Sequence, residues 1–273
     1  VKLDGKIALI TGAGTGIGAA IARRFVSEGA RICITGRRQE MLDEVAQPLP
    51  EGTVVTCAGD VTKLEDVKKM VETALKFAGK LDVLVNNAAI DPGGATVVDQ
   101  DVELWHRVLE TNLTGPMLLM KESIAYMIKS GGGSIINISS LGGLRCLPGM
   151  PAYCSSKAGL IMLTKQVALD FGPEKIRCNV VCPGGTRTKM LETSLGPLAD
   201  ALGTDLEGVF NTISSMVPLR RTADPSEITG VCIYLASDDS TFMTGSVLLV
   251  DGGAAIVDVA GAALTNADVK WGV

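Results

Sequence analysis

Seven short apolar runs, most of them followed by a stretch with helical spacing, constrain this chain more than any other feature. Lys6–Thr11 (KIALIT), Arg31–Thr35 (RICIT), Thr53–Cys57 (TVVTC), Leu81–Val85 (LDVLV), Gly133–Ser139 (GSIINIS), Ile176–Cys182 (IRCNVVC) and Ser246–Val250 (SVLLV) are dominated by apolar residues. Strands that read this way are buried on both faces, as in a parallel sheet covered by helices. The intervening segments supply those helices. Ile21, Phe25 and Val26 recur at helical spacing after the first run, and Gln39–Gln47 is closed by Pro48 and Pro50. Lys63–Phe77, Pro151–Phe171 and Glu227–Ala236 read as further helices, and Asp101–Met127 as one or two. Strand–helix alternation of this kind predicts an α/β fold. With no linker, repeat or low-complexity segment, residues 1–273 are expected to form one doubly wound domain.

Residues 188–222 break the rhythm. The segment is long, with two prolines and three glycines, and mixes apolar with polar residues. An insert at the carboxyl end of a strand is either a lid that carries substrate contacts or an ordinary pair of surface helices.

Bulk properties exclude some functions. The net charge of −5 is spread over scattered residues, with no concentrated basic face for nucleic acid. No stretch reaches the length of a membrane span, and VKLDGKIALI lacks the apolar core of a leader. A cytoplasmic protein is expected. The seven cysteines form no CxxC pair and His106 is the single histidine, so buried free thiols are expected and no metal site. A hydrolase would need a GxSxG elbow, which is missing.

The first apolar run leads into TGAGTGIG, residues 11–18, and then into a helix. In that setting Gly12, Gly16 and Gly18 allow a tight turn, close backbone approach to a pyrophosphate, and helix–sheet packing. The helix N-terminus adds partial positive charge. A Rossmann-like dinucleotide site follows. At the end of the second strand, where an acidic residue would favour NAD, stand Gly36, Arg37 and Arg38. A guanidinium there pairs with a 2′-phosphate, so NADP is the favoured cofactor and NAD the alternative. Asp60, ending the third strand, is placed to accept from an adenine amino group.

At the chemical end, Tyr153 and Lys157 lie four apart on a predicted helix and share a face. A lysine ammonium favours the phenolate, so the pair can move protons in a chain with one histidine. NISS at 137–140, VNNAA at 85–89, ETNLTG at 110–115 and CPGGTRT at 182–188 belong at the same carboxyl edge of the sheet.

From KIALITGAGTGIG to LASDDSTFMTGSVLLVDGG, the chain resembles the short-chain dehydrogenase/reductase (SDR) family. The resemblance implies an oxidoreductase that moves a hydride between a nicotinamide cofactor and a secondary alcohol or ketone. It implies Tyr153 as general acid/base, Ser140 as hydrogen-bond donor to the substrate oxygen, and Lys157 as support for the tyrosine and holder of the nicotinamide ribose. Ser139 competes with Ser140 for the serine role. Asn112 would keep a relay water. Thr15, Ile17, Val61, Asn87, Ala88, Thr186 and Thr188 join the cofactor set. A homo-oligomer, a tetramer, is expected on the same basis. Two departures stand out: Ala89 where the family has glycine, and a tail, 254–273, that either covers a neighbouring subunit or frays.

Substrate contacts are expected from Leu141–Met150, Ile90–Gly94 and the insert, with Leu144, Leu147, Met150, Met190 and Leu191 as candidates. A pocket of this kind suits a hydrophobic or cyclic small molecule. Arg145, Arg187 and Lys189 either meet a substrate carboxylate or are solvated. A 3-oxoacyl thioester reductase is a second enzyme reading, and a non-catalytic dinucleotide-binding regulator a third; the complete Ser–Tyr–Lys set speaks against the latter.

Overall fold

Each of the seven apolar runs is a strand in the computed structural model, which describes residues 1–91 and 93–258. The strands are β1 (Ile7–Thr11), β2 (Arg31–Gly36), β3 (Val54–Ala58), β4 (Val83–Asn86), β5 (Gly133–Ile138), β6 (Ile176–Pro183) and β7 (Val247–Val250). They form one parallel sheet in the order β3-β2-β1-β4-β5-β6-β7. The order reverses between β1 and β4, and the crevice beyond that reversal is where such sheets bind ligands.

Side chains of β1 alternate between two cores, as the two-residue period of a strand requires. Ala8 and Ile10 pack with α1 (Gly16–Ser27), α2 (Gln39–Ala46) and α9 (Thr229–Ala236). Leu9 faces the opposite layer, α3 (Leu64–Ala78), α5 (Gly115–Lys129) and α6 (Pro151–Phe171). Both faces are covered, which explains why the strands read as apolar runs rather than alternating ones.

Three segments refine the expectations. Asp101–Met127 is α4 (Val102–Leu109), then a π-helical turn, Glu110–Thr114, then α5. Pro116 has no N–H to give the Asn112 carbonyl, so the α ladder cannot run through this point unbroken. The insert folds as two helices, α7 (Lys189–Leu202) and α8 (Leu206–Ser214), joined by Gly203 at φ 62°. The last helix starts later than its apolar pattern: Asp224 and Glu227 form a capping box over a 3-10 turn, Pro225–Ile228, before α9. Among the cysteines, Cys146 is exposed and Cys154 half-buried, against the expectation of a fully buried set. No described helix is long and apolar enough to cross a membrane. Most of the tail, 259–273, lies outside the described residues.

Candidate active site

The glycine loop is shaped by what its glycines leave out. Gly12 has φ 64° and Gly16 φ 55°, the left-handed region that side chains avoid. A Cβ on Gly12 would lie 2.8 Å from Ala88 Cα, and one on Gly16 3.1 Å from Thr188 Cγ2. A Cβ on Gly18 would strike the Gly12 carbonyl oxygen and sit 2.5 Å from Asn87 Nδ2. Asn87 is what closes this space. Its Nδ2 donates to the carbonyls of Thr11 (3.0 Å) and Gly12 (3.1 Å). Thr11 Oγ1 accepts from the backbone N–H groups of Asn87 (3.0 Å) and Ala88 (3.1 Å). The ends of β1 and β4 are thus stitched together at the switch point. Thr15 caps α1 without a side-chain hydrogen bond, and the first turn has no acidic residue. The leading N–H groups of α1 therefore remain for an anion. Loop and helix end fit the pyrophosphate of a dinucleotide.

A cleft of about 260 Å³ runs from this loop to the sheet's other motifs. At one end it is lined by Arg37, Arg38, Asp60 and Val61, with Met41 and Leu42 from α2. Both arginines are exposed, and neither has a carboxylate partner among the described residues. Asp60 Oδ1 accepts from Thr62 N (3.0 Å) and Oγ1 (2.9 Å), which fixes the carboxylate. At the middle lie Thr15, Gly16, Ile17, Asn87, Ala88 and Thr188. Thr188 also caps α7, accepting from Leu191 N at 3.2 Å. Thr186 does not line the cleft; it is buried and its hydroxyl donates to the Gly184 carbonyl at 3.1 Å.

Tyr153 and Lys157 line the far end. Successive turns of α6 bring them together, with the Lys157 ammonium 5.7 Å from the Tyr153 ring centre. Lys157 is buried and its Nζ donates to the Ile138 carbonyl at 2.9 Å. Burial pushes its pKa down to about 8. The structure moves Tyr153 opposite to the expectation of a lowered phenol. Burial pushes it up to about 12, a hydrogen bond with Ser140 pulls it part of the way back, and the nearby Asp91 carboxylate adds to the rise. Desolvation dominates because the phenol, like the Lys157 ammonium, is buried.

The two serines divide. Ser139 Oγ donates to the Lys157 carbonyl at 2.9 Å and is buried. Ser140 Oγ accepts from Gly142 N at 3.0 Å and faces the Tyr153 phenol. Asn112 is buried under the loop after β4. Its Oδ1 accepts from Ile90 N (2.8 Å), and its Nδ2 donates to the Ile90 carbonyl (3.0 Å) and to Ser156 Oγ (3.1 Å). Its amide protons are spent on positioning that loop against α6.

Three segments expected to touch substrate converge beside Tyr153. Ala95 N donates to the Gly149 carbonyl at 2.6 Å, joining the loop after β4 to the one before α6. Ser194 of α7 donates to Asp91 at 3.3 Å. The position of a Cβ on Gly142 is ringed by Leu147 Cδ1 (3.2 Å), Tyr153 Cε1 (3.3 Å) and Ser140 Oγ (3.4 Å). Met190 lines the cleft, whereas Leu144, Leu147, Met150 and Leu191 do not; Leu144 and Leu147 are exposed near its mouth. The cations at this end have partners. Arg187 makes a two-pronged pair with Glu207, Lys189 pairs with Glu192 at 3.5 Å, and Arg145 donates to the carbonyls of Ala254 (3.3 Å) and Val257 (3.4 Å). Asp91 was not among the residues singled out from sequence; only its segment was.

Comparison with known proteins agrees with this architecture. The family model described as Enoyl-(Acyl carrier protein) reductase matches residues 12–255. The human dehydrogenase/reductase SDR family member 4 is 35% identical over 253 residues, 92% of this chain and 88% of that protein. A 3-oxoacyl-(acyl-carrier-protein) reductase of Thermotoga maritima is 38% identical over 259 residues, 94% of this chain and 100% of that protein. The crystal structure of levodione reductase superimposes with a TM-score of 0.89 at 28% identity, covering 94% of this chain and 100% of that one. Sheet order, glycine loop and full-length similarity together place this chain in the short-chain dehydrogenase/reductase family, as an NAD(P)-dependent oxidoreductase of the alcohol dehydrogenase and carbonyl reductase class.

Proposed function

We propose that this chain is an NADP(H)-dependent carbonyl reductase for small ketones, with Tyr153 as the proton donor. The observation that carries the reading is one continuous cleft with Arg37 and Arg38, without a carboxylate partner among the described residues, at one end and Tyr153 and Lys157 at the other, the Tyr153 phenol hydrogen-bonded to Ser140 just behind the lining. A bound nicotinamide dinucleotide supplies the hydride. Gly12, Gly16, Gly18 and Thr15 would hold its pyrophosphate, with Ile17, Asn87, Ala88 and Thr188 along its length. Arg37 and Arg38 would meet a 2′-phosphate and Asp60 the adenine, beside Val61.

The chain's own residues handle the oxygen. Ser140 donates a hydrogen bond to the carbonyl oxygen and Tyr153 gives it a proton as charge develops there. A phenol held near 12 is protonated across the physiological range, which suits a proton donor. Lys157 supplies positive charge beneath the phenol. Asn112 keeps Ile90 in place at the wall of the cleft.

A 3-oxoacyl thioester substrate is the second reading, favoured by the full-length similarity to the Thermotoga enzyme. Against it stands the mouth of the site, where Arg145, Arg187 and Lys189 are committed to partners within the chain and leave little for a phosphopantetheine arm.

The test is a titration of NADPH and NADH by intrinsic fluorescence, in the unmodified protein and in Arg37→Ala. NADPH is expected to bind at least about tenfold tighter, the order of one charge-assisted pair, and the substitution to remove that margin. Equal or tighter binding of NADH, unchanged by the substitution, refutes the NADP assignment.

A further inference from the structure

We infer that Asp91 determines specificity: its carboxylate, set between the loop after β4 and α7, takes a hydrogen bond from a second hydroxyl of the substrate, making hydroxyketones and the corresponding diols the preferred class. The inference rests on the carbonyl-reductase reading above.

Placement comes first. Ile90 lines the cleft and is held through both its N–H and its C=O by Asn112. The next residue, Asp91, is therefore held directly behind that wall residue, where its backbone follows a fixed point. Ser194 reaches it from α7 across the site, and its charge is felt by both Tyr153 and Lys157. It is a neighbour of the reacting end rather than a solvated loop carboxylate.

Its bonding is poor for a half-buried charge. A carboxylate offers about four acceptor positions. Among the described residues they are met by two long contacts, Gly93 N at 3.4 Å and Ser194 Oγ at 3.3 Å. No lysine or arginine forms an ion pair with Asp91 among the described residues; Lys157, whose Nζ donates to the Ile138 carbonyl, acts on it only through charge at longer range. Burial accordingly raises its pKa. A donor brought in by the substrate meets a group that the fold leaves under-bonded, and a buried polar group of this kind discriminates strongly against analogues that lack the donor. The surroundings sharpen the choice. Met190, which lines the cleft from α7, is apolar, and the carboxylate that Ser194 of the same helix reaches is Asp91.

The competing role is a latch that holds α7 through Ser194, and the experiment separates the two. The full chain with its reduced nicotinamide cofactor is assayed on 3-hydroxy-2-butanone against 2-butanone, and on 2-hydroxycyclohexanone against cyclohexanone. The hydroxyketone is expected to lead in kcat/KM by about ten- to a hundredfold, the worth of a hydrogen bond to a charged group. In Asp91→Ala that ratio falls to within about threefold of unity; in Asp91→Asn, which keeps the shape without the charge, it falls part of the way; in Ser194→Ala it persists. Because the readout is a ratio, damage to the fold lowers both rates and leaves it in place. Equal use of both ketones by the unmodified enzyme overturns the inference and leaves the reductase reading standing. A ratio untouched by Asp91→Ala, or one lost equally in Ser194→Ala, also overturns it. If no ketone is turned over although NADPH binds, the reductase reading fails and takes the inference with it.

Discussion

The two ends of the cleft are built on different principles. The cofactor end is a steric lock made largely of backbone: Gly12 and Gly18 leave no room for a Cβ, Gly16 holds a left-handed φ of 55°, and Asn87 and Thr11 tie two strand ends with four hydrogen bonds. The substrate end is made of side chains on three separate segments, several of them exposed, as Leu144, Leu147 and Met190 are. One end accepts a ligand whose shape is fixed; the other can be re-dressed without touching the sheet. On the proposed assignment the proton machinery lies at the join, with Tyr153 and Lys157 both on helix α6, so that chemistry is shared by both ends.

Removing the phenol is expected to have the largest effect. Tyr153→Phe keeps the ring, and the Ser140 hydrogen bond and the proton source disappear. Turnover should drop at least about a thousandfold, the upper range of general acid catalysis. The dissociation constant for NADPH should move less than threefold, since the glycine loop is untouched. Residual turnover near the original level would show that the join is placed wrongly.

Gly18→Ala attacks the cofactor end alone. The added methyl must displace the Gly12 carbonyl or the Asn87 amide, neither of which is a flexible chain end. We expect about 1–3 kcal/mol of lost stability and a cofactor affinity weakened by about a hundredfold. The experiment is denaturant unfolding together with NADPH titration. An affinity unchanged by this substitution would mean that the lock is looser than its geometry.

The join itself can be probed through pH. Buried Lys157 has its pKa lowered from 10.5 to about 8 in the folded chain. Between those values the unfolded chain binds more protons than the folded one, so stability gains with rising pH across that window. Relative to Lys157→Met, the unmodified protein should gain about 1 kcal/mol per pH unit between pH 8 and pH 10. Urea unfolding at both pH values measures it. A difference that shrinks with pH would reverse the assignment of Lys157 as a desolvated cation.

Legibility follows the same division. All seven strands were readable because burial on both faces forces apolar runs, and boundaries moved only by a residue or two. The parallel, doubly wound character of the sheet followed from the alternation, whereas the order of its strands did not, because an apolar run reports burial and not which strand lies beside it. The π-turn at 110–114 was not readable from periodicity, although Pro116 marks the place where the Asn112 carbonyl loses its donor. The upward shift of Tyr153 was missed for a physical reason: spacing reports that a lysine is near but not that both groups are dry. Asp91 was missed because a single acidic residue in a glycine-rich loop carries no pattern. Its role arises only when α7 folds across it.

The smallest effect is expected where charge decorates the substrate end. Arg187 grips Glu207 with two hydrogen bonds and stacks over Phe210, its guanidinium carbon 4.5 Å from the ring centre. The arrangement looks like the tie that holds α8, yet the pair is 42% and 61% exposed. Water competes for both partners, which limits such pairs to less than about 1 kcal/mol. Phe210 beneath it is buried, and Val209 beside it fully so. Deleting a buried ring costs about 3–5 kcal/mol. Arg187→Ala should therefore shift the unfolding free energy by under about 1 kcal/mol, and Phe210→Ala by several times more. Equal losses in the two variants would mean that ion pairing, not apolar burial, fixes the substrate end. The two ends of the cleft would then differ in the kind of directional bond they use rather than in whether they use one.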